Sequence, residues 1–113
     1  IASCLVGSEM CIETEAGLLT LAAFVAPDAE GREQAKTLIG AQRLITVHVK
    51  ASLEACRARD PQGLYAAGQG NIPGDSFAYD EPQDADLVID TEAVSLEEGV
   101  RQVLALLRQR GAI

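Results

Sequence analysis

What this chain lacks narrows it first. It has only three cysteines, Cys4, Cys11 and Cys56. An odd count with no close pair gives neither a disulfide framework nor the paired spacing of a zinc site. Reduced thiols in a cytoplasmic protein are therefore expected. It lacks basic excess: Lys and Arg number 9 against 17 Asp and Glu, a net charge of −8. No basic stripe is available to neutralise a phosphate backbone, so no nucleic-acid partner is expected. A free nucleotide is a different matter, because a few local cations and backbone donors hold one. No apolar run approaches the ~20 residues that cross a bilayer, so no membrane partner is expected. No basic segment leads into an apolar one, and no export signal is read. No internal repeat occurs. Nor does the sequence contain Gly-x-x-x-x-Gly-Lys-Ser/Thr, the loop whose amides and lysine cradle nucleotide phosphates.

What is present reads as a folded domain. Hydrophobic residues make up 48% of 113, enough for one core. Residues 1–12 show no period, and read as a divergent helix or as a foreign junction. Glu13 to Gly17 resembles a helix end. Leu18-Leu19-Thr20-Leu21-Ala22-Ala23-Phe24-Val25 is nearly continuous and apolar, as in a parallel strand buried on both faces. Glu30 to Ile39 predicts a helix stopped by Gly40. Leu44 to Val49 predicts a second buried strand. Ser52 is a good N-cap for a helix over Leu53 to Arg59.

Gly68 to Gln83 is rich in glycine and proline and predicts a long loop. Leu87-Val88-Ile89 predicts a third strand. Ser95 caps the last helix, with Glu97 and Glu98 in its first turn and Arg108 and Arg110 near its end, both complementing the helix dipole. Leu96, Val100, Val103, Leu104 and Leu107 share its apolar face. Alternating buried strands and helices give an α/β class with a parallel sheet flanked by helices.

The most informative stretch is Arg59-Asp60-Pro61-Gln62-Gly63-Leu64-Tyr65. Asp-Pro pushes the chain out of the helix, Gly63 frees the turn, and a short second helix is expected near Leu64. Such a turn after a strand–helix unit sets polar groups at the carboxyl edge of a parallel sheet, where open α/β folds bind ligands. A solvated turn with a structural Asp60 is the plainer alternative. His48 has no Ser, Cys or carboxylate partner nearby in sequence and reads as structural. Cys56, near Leu53 on the apolar side of its helix, reads as core.

This stretch, followed by Asp80-Glu81-Pro82, by Ala85-Asp86-Leu87-Val88-Ile89-Asp90-Thr91 and by a C-terminal helix ending in Gly111, resembles the C-terminal part of the adenylyl-sulfate kinase family. The resemblance covers residues 13–113. It implies a phosphate-loop NTPase-like fold lacking its N-terminal half. It also implies transfer of a phosphoryl group from ATP, with magnesium, to the 3′-hydroxyl of adenosine 5′-phosphosulfate in sulfate assimilation. A homodimer, or a fusion with ATP sulfurylase, is the implied assembly. The phosphate loop, the metal-binding acid and most phosphosulfate-binding arginines of the family lie in the part not matched. A fragment inactive by itself is therefore expected.

The resemblance also assigns residues. Phe24-Val25-Ala26-Pro27-Asp28-Ala29 stands where the family has Phe-Ile-Ser-Pro-Tyr-Arg. Phe24 and Val25 would then wall the substrate adenine, Pro27 would belong to the same substrate-binding segment, and Arg32 matches a second family arginine. Arg59 matches the arginine that stacks on the ATP adenine, a cation–π arrangement. Thr91 and Val94 match positions lining that adenine pocket, and Gly63 and Leu64 sit in the substrate lid. Each also has a bland account: Arg32 and Arg59 as solvated helix arginines, Thr91 and Val94 as the ordinary end of a strand and start of a helix.

The departures bear on activity. Ala26 and Ala29 replace a serine and an arginine, and Gln62, Ala66 and Ala67 replace lysines. Gly74-Asp75-Ser76-Phe77-Ala78-Tyr79 is a shortened form of a family loop whose phenylalanine stacks on substrate. The competing account is therefore a non-catalytic, kinase-like regulatory or nucleotide-binding module; a structural remnant without ligand is a third.

Overall fold

The computed structural model describes residues 17–68, 72, 75 and 78–113. Residues 1–12, the helix end at Glu13 and the aromatic at Phe77 lie outside them. The chain divides into two compact units, one running to Ile45 and the other spanning Thr46–Ile113.

In the first unit, Asp28 is the N-cap of helix α1, Ala29–Ile39, and accepts from the Gly31 amide. An aspartate carboxylate here satisfies an amide that has no intrahelical partner. Gly40 closes the helix, its amide donating to the Lys36 carbonyl. The expected stop is therefore where the sequence put it.

The expected strand at Leu18–Val25 is absent: residues 18–27 carry no regular structure. Leu21 is 82% and Phe24 62% exposed. A strand is defined by its ladder, and the described residues of the first unit include no strand to pair with this stretch.

The second unit holds all the described sheet. Strand β1 is Val47–Lys50 and β2 is Leu87–Asp90, paired in parallel with Val47 opposite Leu87 and Lys50 opposite Asp90. Parallel pairing requires a long crossover, and helix α2, Leu53–Arg59, lies in it. Ser52 caps α2 as expected, its hydroxyl accepting from the Ala55 amide. The second strand begins three residues later than the apolar run that announced it. Its edge is set by pairing with β2 and by Thr46, whose carbonyl accepts from the Asp86 amide.

Helix α3, Leu96–Gln109, starts at the Ser95 cap, whose hydroxyl accepts from the Glu98 amide. Its packing corrects the expected apolar face. The helix settles on β2 at Gly99: a Cβ there would stand 3.4 Å from Ile89 Cγ2. Gly99 and Leu107 are buried, whereas Leu96, Val100 and Leu104 are exposed. The last three repeat every fourth residue and form one row. Glycine allows the neighbouring row to come closest to the sheet, so this row is turned outward.

His48 is buried on β1, with the Tyr79 ring tilted at 38° and a centroid distance of 6.4 Å. That agrees with a structural role. Cys56 is half-buried and free of any disulfide, so it borders the core rather than filling it.

Candidate nucleotide-base site

The second unit brings the ends of β1, β2 and α2 together. Asp-Pro ends α2 at Asp60, as the sequence required. The Asp60 carboxylate then caps the following turn, accepting from the Tyr65 amide at 3.3 Å and the Ala66 amide at 3.1 Å. Gly63 takes φ 68°, in the left-handed region where a Cβ is unfavourable. Leu64, at the next position, is exposed. The short helix expected near Leu64 is a single turn, closed by the Ala67 amide on the Gly63 carbonyl at 2.9 Å. The paired Asp60 bonds hold this segment as a turn, and among the described residues no further helical ladder forms.

Arg59 is the last residue of α2, and its guanidinium forks onto Thr91. One nitrogen donates to Thr91 Oγ1 at 2.8 Å and the other to the Thr91 carbonyl at 3.1 Å. Thr91 is the first residue after β2, and its hydroxyl donates to the Lys50 carbonyl at 3.1 Å. Its amide also donates to that carbonyl, at 3.0 Å. Thr91 is thus fixed by the end of β1 and in turn fixes Arg59. A guanidinium held in its own plane by two nitrogens has a geometry suited to stacking on a flat partner. Val94 closes the turn, its amide donating to the Asp90 carbonyl at 3.0 Å. Two residues singled out in sequence, Arg59 and Thr91, are therefore in direct contact, and Val94 follows three residues on.

Glu92 was not legible. Its carboxylate accepts from the Ser52 amide at 2.6 Å and from the Ser52 hydroxyl at 3.1 Å. The two residues are 40 apart in sequence, and no local pattern links them. Nearby, Arg57 pairs with Asp75 and Lys50 with Glu81. Partial burial pushes the Tyr65 hydroxyl above its ordinary 10.0, helped by the charge of Cys56 and a side-chain hydrogen bond with it, and by the charges of Asp75 and Asp60.

The remaining candidates lie in the first unit. Phe24 and Val25 are exposed, and Pro27 is half-buried. Ala26 has φ 40°, uncommon for a residue with a Cβ. Its carbonyl accepts from the Arg32 guanidinium at 2.6 Å. Arg32 is thus engaged with the backbone six residues before it.

Among the described residues no group of three His, Cys, Asp or Glu side chains could hold a metal ion. No helix among them is long and apolar enough to cross a membrane.

Comparison with known proteins decides the family. The family described as adenylylsulphate kinase matches residues 6–90. The chain belongs to the adenylyl-sulfate kinase family. It is 36% identical over 109 residues to the adenylyl-sulfate kinase of Oceanobacillus iheyensis, covering 93% of this chain and 55% of that protein. It is 39% identical over 112 residues to that of Shewanella pealeana, covering 96% and 53%. With the bifunctional enzyme CysN/CysC of Rhodopirellula baltica it shares 40% over 103 residues, 88% of this chain and 16% of that one. The chain spans about half the length of the adenylyl-sulfate kinases it matches.

Proposed function

We propose that this chain supplies the base-binding and lid portion of an adenylyl-sulfate kinase. The whole enzyme transfers the γ-phosphoryl group of ATP to the 3′-hydroxyl of adenosine 5′-phosphosulfate in sulfate assimilation. The observation that supports this best is the Arg59–Thr91 fork, because it fixes a planar cation at the residue that follows β2. In this reading Arg59 stacks on the ATP adenine and Thr91 and Val94 line its slot. Phe24, Val25, Pro27 and Arg32 serve the phosphosulfate substrate, and Gly63 and Leu64 belong to its lid. A phosphate loop from outside these 113 residues completes a fold of the phosphate-loop NTPase type. Magnesium would bind with that loop.

Phosphoryl transfer of this class rests on positioning and charge stabilisation. This chain carries no loop to hold the β- and γ-phosphates, so a coupled assay of residues 1–113 with ATP and adenosine 5′-phosphosulfate should show no turnover above the enzyme-free rate. Turnover would overturn the division of labour proposed. Adenosine and ATP should bind with similar, roughly millimolar weakness, since arginine–base stacking contributes only ~0.5–2 kcal/mol and millimolar affinity needs ~4. Amide shifts centred on Arg59, Thr91 and Val94 for both nucleotides would support the slot. Micromolar ATP binding with much weaker adenosine would refute it.

A second reading is favoured by Ala26, Ala29, Gln62, Ala66 and Ala67, at positions where the resemblance implies serine, arginine and lysines. A non-catalytic nucleotide-binding module would tolerate those losses. It would show the same adenosine shifts, yet no activity when completed by a phosphate-loop half from a relative. For assembly, we propose a homodimer or a fusion with a sulfurylase. The match to a bifunctional relative supports the fusion.

A further inference from the structure

Helix α2 is held at both ends by consecutive residues of one turn. Its seven residues span about 10 Å at the standard rise. At its C-terminal end, Arg59 is bound to Thr91. At its N-terminal end, the Ser52 amide and hydroxyl are bound to Glu92. The turn carrying both anchors is itself tied down: the Thr91 amide donates to the Lys50 carbonyl at 3.0 Å and the Glu92 amide to Asp90 Oδ1 at 3.0 Å. A carboxylate at a helix N-terminus is also electrostatically favourable.

Removing the Arg59 contact would free one side chain. Removing the Glu92 contact would free the end of the helix opposite Arg59, and α2 could then pivot about Thr91. An arginine at the end of a lever transmits a small tilt into a displacement of its guanidinium. We infer that Glu92 is a positioning residue for the base slot: by clamping Ser52 it fixes the pitch of α2 and hence the plane that Arg59 presents to the adenine. This rests on the base-slot reading above. The charge matters less than the reach, because what is needed is an oxygen acceptor at Ser52.

The test is an adenosine titration of the 113-residue chain, followed by amide shifts. Glu92→Ala should weaken adenosine by about threefold or more, a small misplacement being costly in a preorganised site. Glu92→Asp keeps the charge but draws the carboxylate back by one methylene, and should weaken binding about twofold even if the alanine variant does not fold. Glu92→Gln keeps an acceptor at full length and should restore affinity to near the parent value. In an Arg59→Ala background, Glu92→Ala should add nothing, since residues acting through one group are not additive. Parent-like affinity in both Glu92→Ala and Glu92→Asp, or an additive effect in the Arg59→Ala background, would overturn the role of Glu92 alone. No adenosine shifts in the parent chain would overturn the base-slot reading and this inference with it.

Discussion

Two apolar stretches of this chain met different fates. Leu18–Val25 is the longer and more continuous run, yet it carries no strand and stands exposed. Leu87–Asp90 is only four residues, yet it is a strand with a parallel partner and a helix resting on Ile89. Hydropathy is the same kind of signal in both. What differs is a neighbour that accepts backbone hydrogen bonds and a side of the strand that is covered. An apolar run reports a demand for burial; a strand exists where that demand is met.

The contrast can be broken most forcefully at Leu107, which is 7% exposed. Leu107→Ala should cost ~2–5 kcal/mol, read as a lowered urea midpoint by circular dichroism. Leu104, 38% exposed in the outward row, should cost clearly less on the same measurement. Equal losses at the two positions would mean that α3 meets the sheet along a different row from the one marked by Gly99.

A smaller effect should come from alkali. The raised Tyr65 hydroxyl binds its proton more tightly in the folded state than in the unfolded one. Its contribution is fully present below the ordinary tyrosine pKa of 10.0 and is lost as pH rises through the higher folded value. Stability should therefore decline above about pH 10, and Tyr65→Phe should flatten that decline. An unchanged pH profile in the phenylalanine variant would assign the loss to another group.

The smallest effect should be at the unpaired run. Leu21→Ser and Phe24→Ser remove exposed apolar groups and should change the unfolding free energy from urea titration by no more than ~0.5 kcal/mol. A substantial destabilisation would show that this stretch is buried against something in solution, and the contrast between the two regions would close.

These outcomes also mark how far the residues could be read unaided. The caps at Ser52 and Ser95, the stop at Gly40, the exit at Asp60 and the turn at Gly63 were legible, because each is settled by atoms within a few residues. The α/β class and parallel pairing followed from the alternation of runs and helical segments. The start of β1 was not legible, because pairing with β2 decides it. The outward row on α3 was not legible either, because periodicity gives a face but not the contact that orients it, here set by Gly99. For the site, the resemblance brought forward Arg59, Thr91 and Val94, and the fold places the first two in contact. Glu92 and its hold on Ser52 had no local trace at all.

Asp86 gives the second unit one further property. Its two oxygens meet the Thr46 amide, 40 residues earlier, and the Arg110 guanidinium, 24 residues later. Residues 64 apart in sequence are therefore gathered at a single carboxylate, like a cord passed through a ring. Asp86 works as a buckle in that sense: Thr46 and Arg110 are tied to one another through it, and cutting either bond frees that end.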